Sequence, residues 1–244
     1  MKNLEDVTRK EEQISQSKVA DIVFGILPKY AFAPLICAFV FNCIGYVGIQ
    51  QLHEVLPLHD FSTVIDDNIP FVPAFIIIYI LAFVQWIVGF ILCGREVRNF
   101  CYKYMSAEFY AKAMCFVCFL IIPSTIARPE VEVNDFITWL VQFIYNADHP
   151  INLFPSIHCL ESWFCLRCAL SQKRTGNVYK VISAVMTVLV FASVVCVKQH
   201  VFVDIIGAIA VYEIGMCIAK RIDLHRLYDG VENWWTKVLK VNND

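Results

Sequence analysis

Two histidines and a carboxylate stand out by type and spacing: His158 closes the run Phe154-Pro155-Ser156-Ile157-His158, and His200 precedes Asp204 by four residues. Four residues is one helical turn, so Asp204 can accept a proton from one ring nitrogen of His200 if a helix begins early enough. That bond sets the tautomer, raises the basicity of the other nitrogen and stabilises imidazolium, which prepares His200 for nucleophilic attack on phosphorus. His158 follows a proline-led turn, so it projects from a helix N-terminus, where free N–H groups favour anions. Ser156 adds a hydroxyl there. His158 in that position suits a general acid for a leaving alkoxide and then a base for an incoming hydroxyl.

The elements that position these groups must be membrane spans. Hydrophobic residues make up 58% of the 244 residues, and the mean hydropathy is +0.59, above what a soluble domain carries. Apolar runs place six spans near 30–50, 71–93, 108–125, 157–171, 180–198 and 201–219, the length that a bilayer requires. The expected fold is therefore an all-α, six-span bundle over 30–219. A charged segment, 1–29, precedes it and an amphipathic, interfacial tail, 220–244, follows. No cleavable leader is expected, and Val19 to Leu27 reads either as a short surface helix or as a simple lead-in.

Cations fall asymmetrically. With six spans, 18 of the 20 Lys and Arg residues share one side, including Arg95, Arg98, Lys103, Lys112 and Arg167, and the positive-inside rule makes that side and both termini cytoplasmic. The expected location is a cell membrane. Arg128 and Lys198 are the two exceptions, each beside a histidine segment, as an anion pocket on the extracytoplasmic side requires. Taken singly, either one reads as a snorkelling helix anchor.

Glu161, one turn after His158, is a candidate to orient that histidine or to read a headgroup, and Glu213 is expected to pair internally. The amphipathic stretch from Val133 to Asp148 reads as an interfacial helix over the pocket or as ordinary loop packing. His149 is assigned no chemistry. The eleven cysteines lie mostly in apolar runs as small hydrophobes, so no disulfide framework and no metal site are expected.

In sequence order, Ala127-Arg128-Pro129, Pro155-Ser156-Ile157-His158 and His200-Val201-Phe202-Val203-Asp204 resemble the three signatures of the type 2 phosphatidic acid phosphatase superfamily: Lys-x6-Arg-Pro, Pro-Ser-Gly-His and Ser-Arg-x5-His-x3-Asp. The resemblance covers about residues 108–219. It implies His200 as the nucleophile that becomes a phosphohistidine, Asp204 as its partner, His158 as acid and base, Arg128 as a phosphate ligand, and no metal or other cofactor. Three positions depart: Ile121 stands for the first-motif lysine, Val194 for the third-motif arginine and Ile157 for the glycine. Ile157 resembles the form in inositol phosphorylceramide synthases and related lipid phosphotransferases.

The expected activity is hydrolysis of a lipid phosphomonoester. Two alternatives are transfer of the phospho-headgroup to a lipid alcohol such as ceramide or diacylglycerol, and an inactive lipid-binding scaffold. Expected partners are the lipid phosphate and membrane lipids, with no nucleic acid.

Overall fold

A computed structural model describes residues 25–50 and 57–238. Most of the charged N-terminal segment, including Val19 to Phe24, lies outside them. The helices are α1 (Lys29–Gln50), α2 (Val64–Asn68), α3 (Ile76–Arg95), α4 (Arg98–Ile121), α5 (Phe136–Ala147), α6 (Ile157–Ser171), α7 (Asn177–Cys196), α8 (Phe202–Ala219) and α9 (His225–Val238). Two short strands, β1 (His59–Asp60) and β2 (Ser124–Thr125), pair in parallel. The protein is a polytopic all-α membrane protein.

Five of the expected spans, α1, α3, α4, α7 and α8, are long and apolar enough to cross a bilayer. The sixth, α6, has only 15 residues. It packs against α3, α4, α7 and α8 and buries Leu160, Phe164, Cys165 and Cys168. A helix enclosed by other helices need not present a long apolar surface to lipid.

Membrane helices lack a polar outer face, so small and polar residues mark their inward stripe. On α3 the buried set is Ile76, Tyr79, Ala82, Gln85, Gly89 and Cys93, at helical spacing, while Ile77, Leu81, Val84 and Ile87 face outward. A Cβ on Gly89 would lie 2.3 Å from Cys165 Sγ, so α3 and α6 approach closely only because the position is glycine. Gly215 does the same for α8, where a Cβ would lie 2.5 Å from the Ala107 carbonyl of α4.

The third span begins ten residues before the expected boundary, at Arg98, and this corrects the placement of Lys112. Lys112 is not a loop cation. It lies inside α4, 4% exposed, with its ammonium 2.7 Å from Glu108 and 2.6 Å from Glu161. The spacing of Glu108 and Lys112 puts them on one face of α4, opposite Glu161 of α6, and pairing is what makes burial of such charges tolerable. Glu213 pairs internally as expected, with Arg167 Nε at 2.7 Å and Trp163 Nε1 at 2.9 Å. The tail forms amphipathic α9, which packs on α1, and all eleven cysteines are free thiols.

Candidate functional site

α1, α4 and α7 finish at the end of the bundle where α3, α6 and α8 begin, and the chemistry-bearing residues gather there. α6 starts at the expected turn. Ser156 is its N-cap, and its hydroxyl accepts the Cys159 N–H at 3.2 Å, which satisfies one of the helix's free donors. Ser156 is fully buried, so this hydroxyl is occupied in building the helix end.

His158 is the second helical residue and enters an aromatic sleeve from α3. Its ring stacks on Tyr79 at 4.3 Å and meets Trp86 at 5.1 Å and Phe83 at 5.8 Å. Nε2 of His158 is buried without a partner.

The His200 ring centroid lies 6.0 Å from that of His158. His200 precedes α8, and its contact with Asp204 arises from the cap of that helix. Asp204 Oδ2 accepts the Val201 N–H at 3.1 Å and meets His200 Nδ1 at 3.0 Å. Asp204 is 0% exposed. The expected pair therefore forms, through a reversal of the chain before α8. That reversal uses the Val194 carbonyl, which accepts the N–H groups of both Gln199 and His200, and Lys198 sits within it at φ 51°.

Two contacts bring the two histidine segments together, and a third ties the residues before His158 to β2. The Ser156 N–H donates to the Asp204 carbonyl at 3.3 Å. The Phe154 ring covers Gly207, where a Cβ would lie 2.5 Å from it. Ser124 Oγ accepts the N–H groups of Leu153 and Phe154 at 2.9 and 2.8 Å.

The two expected outer cations behave differently. Arg128 donates to the carbonyls of Tyr145 and Asp148 at 3.3 and 2.6 Å and to the Gln199 side chain, and its guanidinium lies 4.6 Å from the Tyr145 ring centre. It thus clasps α5 to the residue before His200. Burial pulls the Arg128 guanidinium below its ordinary value, opposed by the nearby Asp148 carboxylate. Burial pushes Tyr145 up to about 12, opposed by Arg128. Lys198 points elsewhere: its ammonium donates to the carbonyls of Asp66 and Ile69 at 2.9 and 2.7 Å, closing the end of α2. Ile121, at the family's lysine position, is 72% exposed, and Val194, at the arginine position, is fully buried. Glu161 turns to Lys112, at 2.6 Å.

A cavity of about 330 Å³ lies between α1, α3, α5 and the 151–158 segment, with His158 and His200 both in its wall. Ile144 and Ala147 of α5 also line it, while Phe136, Trp139 and Phe143 on the same helix are exposed. Of the two readings of 133–148, a helix that covers the pocket is the one that forms.

Several wall residues carry no recognisable sequence signal. Asn42 and Tyr46 belong to α1, and Asp148 follows α5, where it reads from sequence only as one more outer acid. The Tyr46 hydroxyl donates to Asp148 Oδ1 at 2.6 Å. Asp66 is a further case. Its carboxylate accepts the Phe202 N–H at 2.7 Å and the Thr63 N–H and hydroxyl at 2.9 and 2.8 Å, so it caps α8 from α2, distant in sequence.

Among the described residues no group of three or more His, Cys, Asp and Glu residues could hold a metal ion. The donors gathered instead are imidazoles, a buried carboxylate and a guanidinium, which suit acid, base and nucleophilic work on an anion.

The family model described as the PAP2 superfamily matches residues 57–218, a range that includes Arg128, both histidines and Asp204. No curated protein and no solved structure matches the chain. With its polytopic helices and its paired histidines at one end of the bundle, the chain belongs to the PAP2 superfamily, and is a phosphatase-like enzyme of lipid phosphates.

Proposed function

We propose that the protein cleaves a lipid phosphomonoester at the extracytoplasmic interface through a phosphohistidine on His200. The observation that carries this is the His200 Nδ1 to Asp204 contact of 3.0 Å, made by a fully buried carboxylate, with the His158 ring 6.0 Å away across a shared cavity. A proton on Nδ1 leaves the Nε2 lone pair free. Nε2 attacks phosphorus, the P–Nε2 bond forms and the ester P–O bond breaks, and His158 gives its proton to the departing lipid alkoxide. Asp204 stabilises the positive charge that develops on the His200 ring. Water then passes a proton to His158 and attacks phosphorus, the P–Nε2 bond breaks, and inorganic phosphate leaves with both histidines restored. Arg128 is tied to this chemistry by its bond to Gln199, the residue before His200.

A second reading is transfer to a lipid alcohol in place of water. It is favoured by the apolar wall residues Ile144, Ile151, Leu153 and Ile157 and by the exposed rings of α5, which suit an acceptor arriving from the bilayer.

Purified protein in detergent with EDTA, given short-chain lipid phosphates with and without diacylglycerol or ceramide, tests both. Phosphate release lost in His200→Ala supports hydrolysis, and headgroup transfer with little free phosphate supports the second reading. Turnover unchanged in His200→Ala overturns the mechanism. Absence of turnover and of a trapped phosphohistidine across the panel would leave the lipid-binding scaffold. Cysteine-accessibility mapping that finds Arg128 in the cytoplasm overturns the sidedness.

A further inference from the structure

Cations gather at the end of the bundle opposite the histidines. A cavity of about 520 Å³ lies there between the start of α4, the end of α8 and the start of α9, lined by Asn99, Lys103, Lys220, Asp223, His225 and Arg226 among others. Asn99 and Lys103 are four residues apart and so share one face of α4. The 18 residues of α8 separate this cavity from His200, a distance of about 27 Å. The turn between α8 and α9 is held from α4: the Leu224 N–H donates to Ser106 Oγ at 3.1 Å, and the His225 ring meets that of Tyr102 at 4.8 Å. Asp223 is engaged within the turn, its Oδ1 accepting the His225 N–H at 3.3 Å and lying 3.0 Å from His225 Nδ1.

Several arginines near this end have partners. Arg98 pairs with Asp229 and Glu232 at 3.7 and 2.7 Å, Arg167 with Glu213, and Arg174 donates to the Arg95 carbonyl at 3.4 Å. Lys103, Lys220 and Arg226 form no ion pair and no side-chain hydrogen bond among the described residues; Lys103 places its ammonium 5.4 Å from the Tyr104 ring centre. Three cations around one space repel one another, and an anion among them relieves that repulsion. Set against the single carboxylate of Asp223, they leave two positive charges, the complement of a phosphomonoester dianion. Arg226 supplies a planar fork for phosphate oxygens, and the two lysines supply point charges. The cavity lies at headgroup depth, because α4 begins and α8 ends there and both are long enough to cross a bilayer. Ile222, Leu227 and Trp234, in the same turn and on α9, are exposed, as apolar side chains entering the acyl region are.

We propose that this cavity is a second anion site that binds a phosphomonoester, with Lys103, Lys220 and Arg226 around the phosphate and the Asn99 amide donating to one of its oxygens. A lipid headgroup at that face of the bilayer and a soluble phosphate share this chemistry. The site lies on the membrane face away from the histidines, so it is separate from the cavity where the reaction occurs. Its cations come from three segments, Lys103 from α4, Lys220 from the end of α8 and Arg226 from α9. A phosphate held by all three therefore fastens α9 to the spans and stabilises the folded protein by mass action.

The test uses full-length protein carrying His200→Ala, so that no ligand is consumed at the histidines. In a maltoside detergent it is titrated calorimetrically with dioctanoyl phosphatidylinositol monophosphate, dioctanoyl phosphatidylinositol and inorganic phosphate. The monophosphate lipid is expected to bind and to raise the melting temperature, and phosphatidylinositol, which has only a diester, to bind about tenfold more weakly. Lys103→Gln, Lys220→Gln and Arg226→Gln are each expected to weaken the monophosphate lipid about fivefold, and all three together about 100-fold, with the melting temperature of the unliganded protein not lowered. Lys103→Arg/Lys220→Arg should keep the affinity, which separates charge from folding. Lys173→Gln/Lys180→Gln/Lys237→Gln removes three cations that do not line the cavity and should leave the affinity unchanged. Equal losses in the two triple variants, full affinity in the cavity triple, or equal binding of phosphatidylinositol overturns the proposal. Inorganic phosphate bound as tightly as the monophosphate lipid keeps the site and assigns it to soluble phosphates, whereas much weaker binding assigns it to a headgroup.

Discussion

Asp204→Asn removes one charge from the centre of the site and almost nothing else, so its effect isolates what that charge does. Asp204 Oδ2 holds both the Val201 N–H, at 3.1 Å, and His200 Nδ1, at 3.0 Å, while Oδ1 is buried without a partner. An asparagine has two orientations here. With its oxygen at Oδ2, both bonds survive as neutral ones and the amide NH2 takes the unpartnered position. The reverse orientation would point an N–H at the Val201 N–H, two donors facing each other.

The Val201 N–H therefore selects the first orientation, and His200 keeps its proton on Nδ1. The loss is the difference between a charge-assisted hydrogen bond, about 1.5–3 kcal/mol, and a neutral one, about 0.5–1.5 kcal/mol. That difference is about 1–2 kcal/mol, or roughly 5- to 30-fold in kcat/KM. It is far less than the roughly 10⁴-fold that a wrong tautomer costs in a serine protease triad. Stability should fall by about 1–3 kcal/mol for the buried NH2 group. The assay is release of phosphate or headgroup from a short-chain lipid, with the 15N shifts of His200 reporting its tautomer. Activity equal to wild type would refute a role for the charge. A loss near 10⁴-fold in folded protein, with the His200 proton on Nε2, would refute the selection by Val201.

Two further substitutions probe how the site is held. Gly207→Ala places a Cβ 2.5 Å from the Phe154 ring, so the 154–158 turn must shift. A stability loss of about 1–3 kcal/mol and a fall in turnover are expected, both partly restored by Phe154→Leu, and unchanged melting and turnover would contradict the packing. Lys112→Met strands Glu108 and Glu161 in the bundle, and breaking such a buried pair costs about 3–5 kcal/mol. Thermal unfolding in detergent should show that loss and a recovery in Glu108→Gln/Lys112→Met/Glu161→Gln, whereas a neutral single variant would refute the pairing.

Much of the site is legible along the chain because its key contacts are local. His200 and Asp204 are four residues apart, and Ser156 and His158 flank one helix start, so sequence order alone places each pair. Even so, the His200–Asp204 contact comes from the cap of α8 and a chain reversal at Lys198, not from a shared helical face. The helix over the cavity was legible as one of two readings, because the apolar spacing between Phe136 and Ala147 sets one face against the bundle.

Lys112 was misread because charge near a span boundary has two meanings. Four residues inside a span that starts at 108, a cation reads as belonging to the cytoplasmic end; with the helix starting at Arg98 it lies in the core. Only the presence of Glu161 on a neighbouring helix decides between them. Lys198 shows the same limit: its place beside His200 is local, but the carbonyls that take its ammonium come from residues 66 and 69.

The amino-acid sequence by itself determined a membrane-embedded helical bundle, the order of the three motifs and the chemical types at the reacting positions, because hydropathy and short spacings are properties of consecutive residues. Tertiary structure alone decided which polar groups face the histidines. Asp148, Tyr46 and the α3 rings meet there from segments up to about a hundred residues apart, while Lys198 and Glu161 turn to partners elsewhere. The physical reason is that a buried charge takes the partner that folding brings within reach, and that partner is set by helix packing.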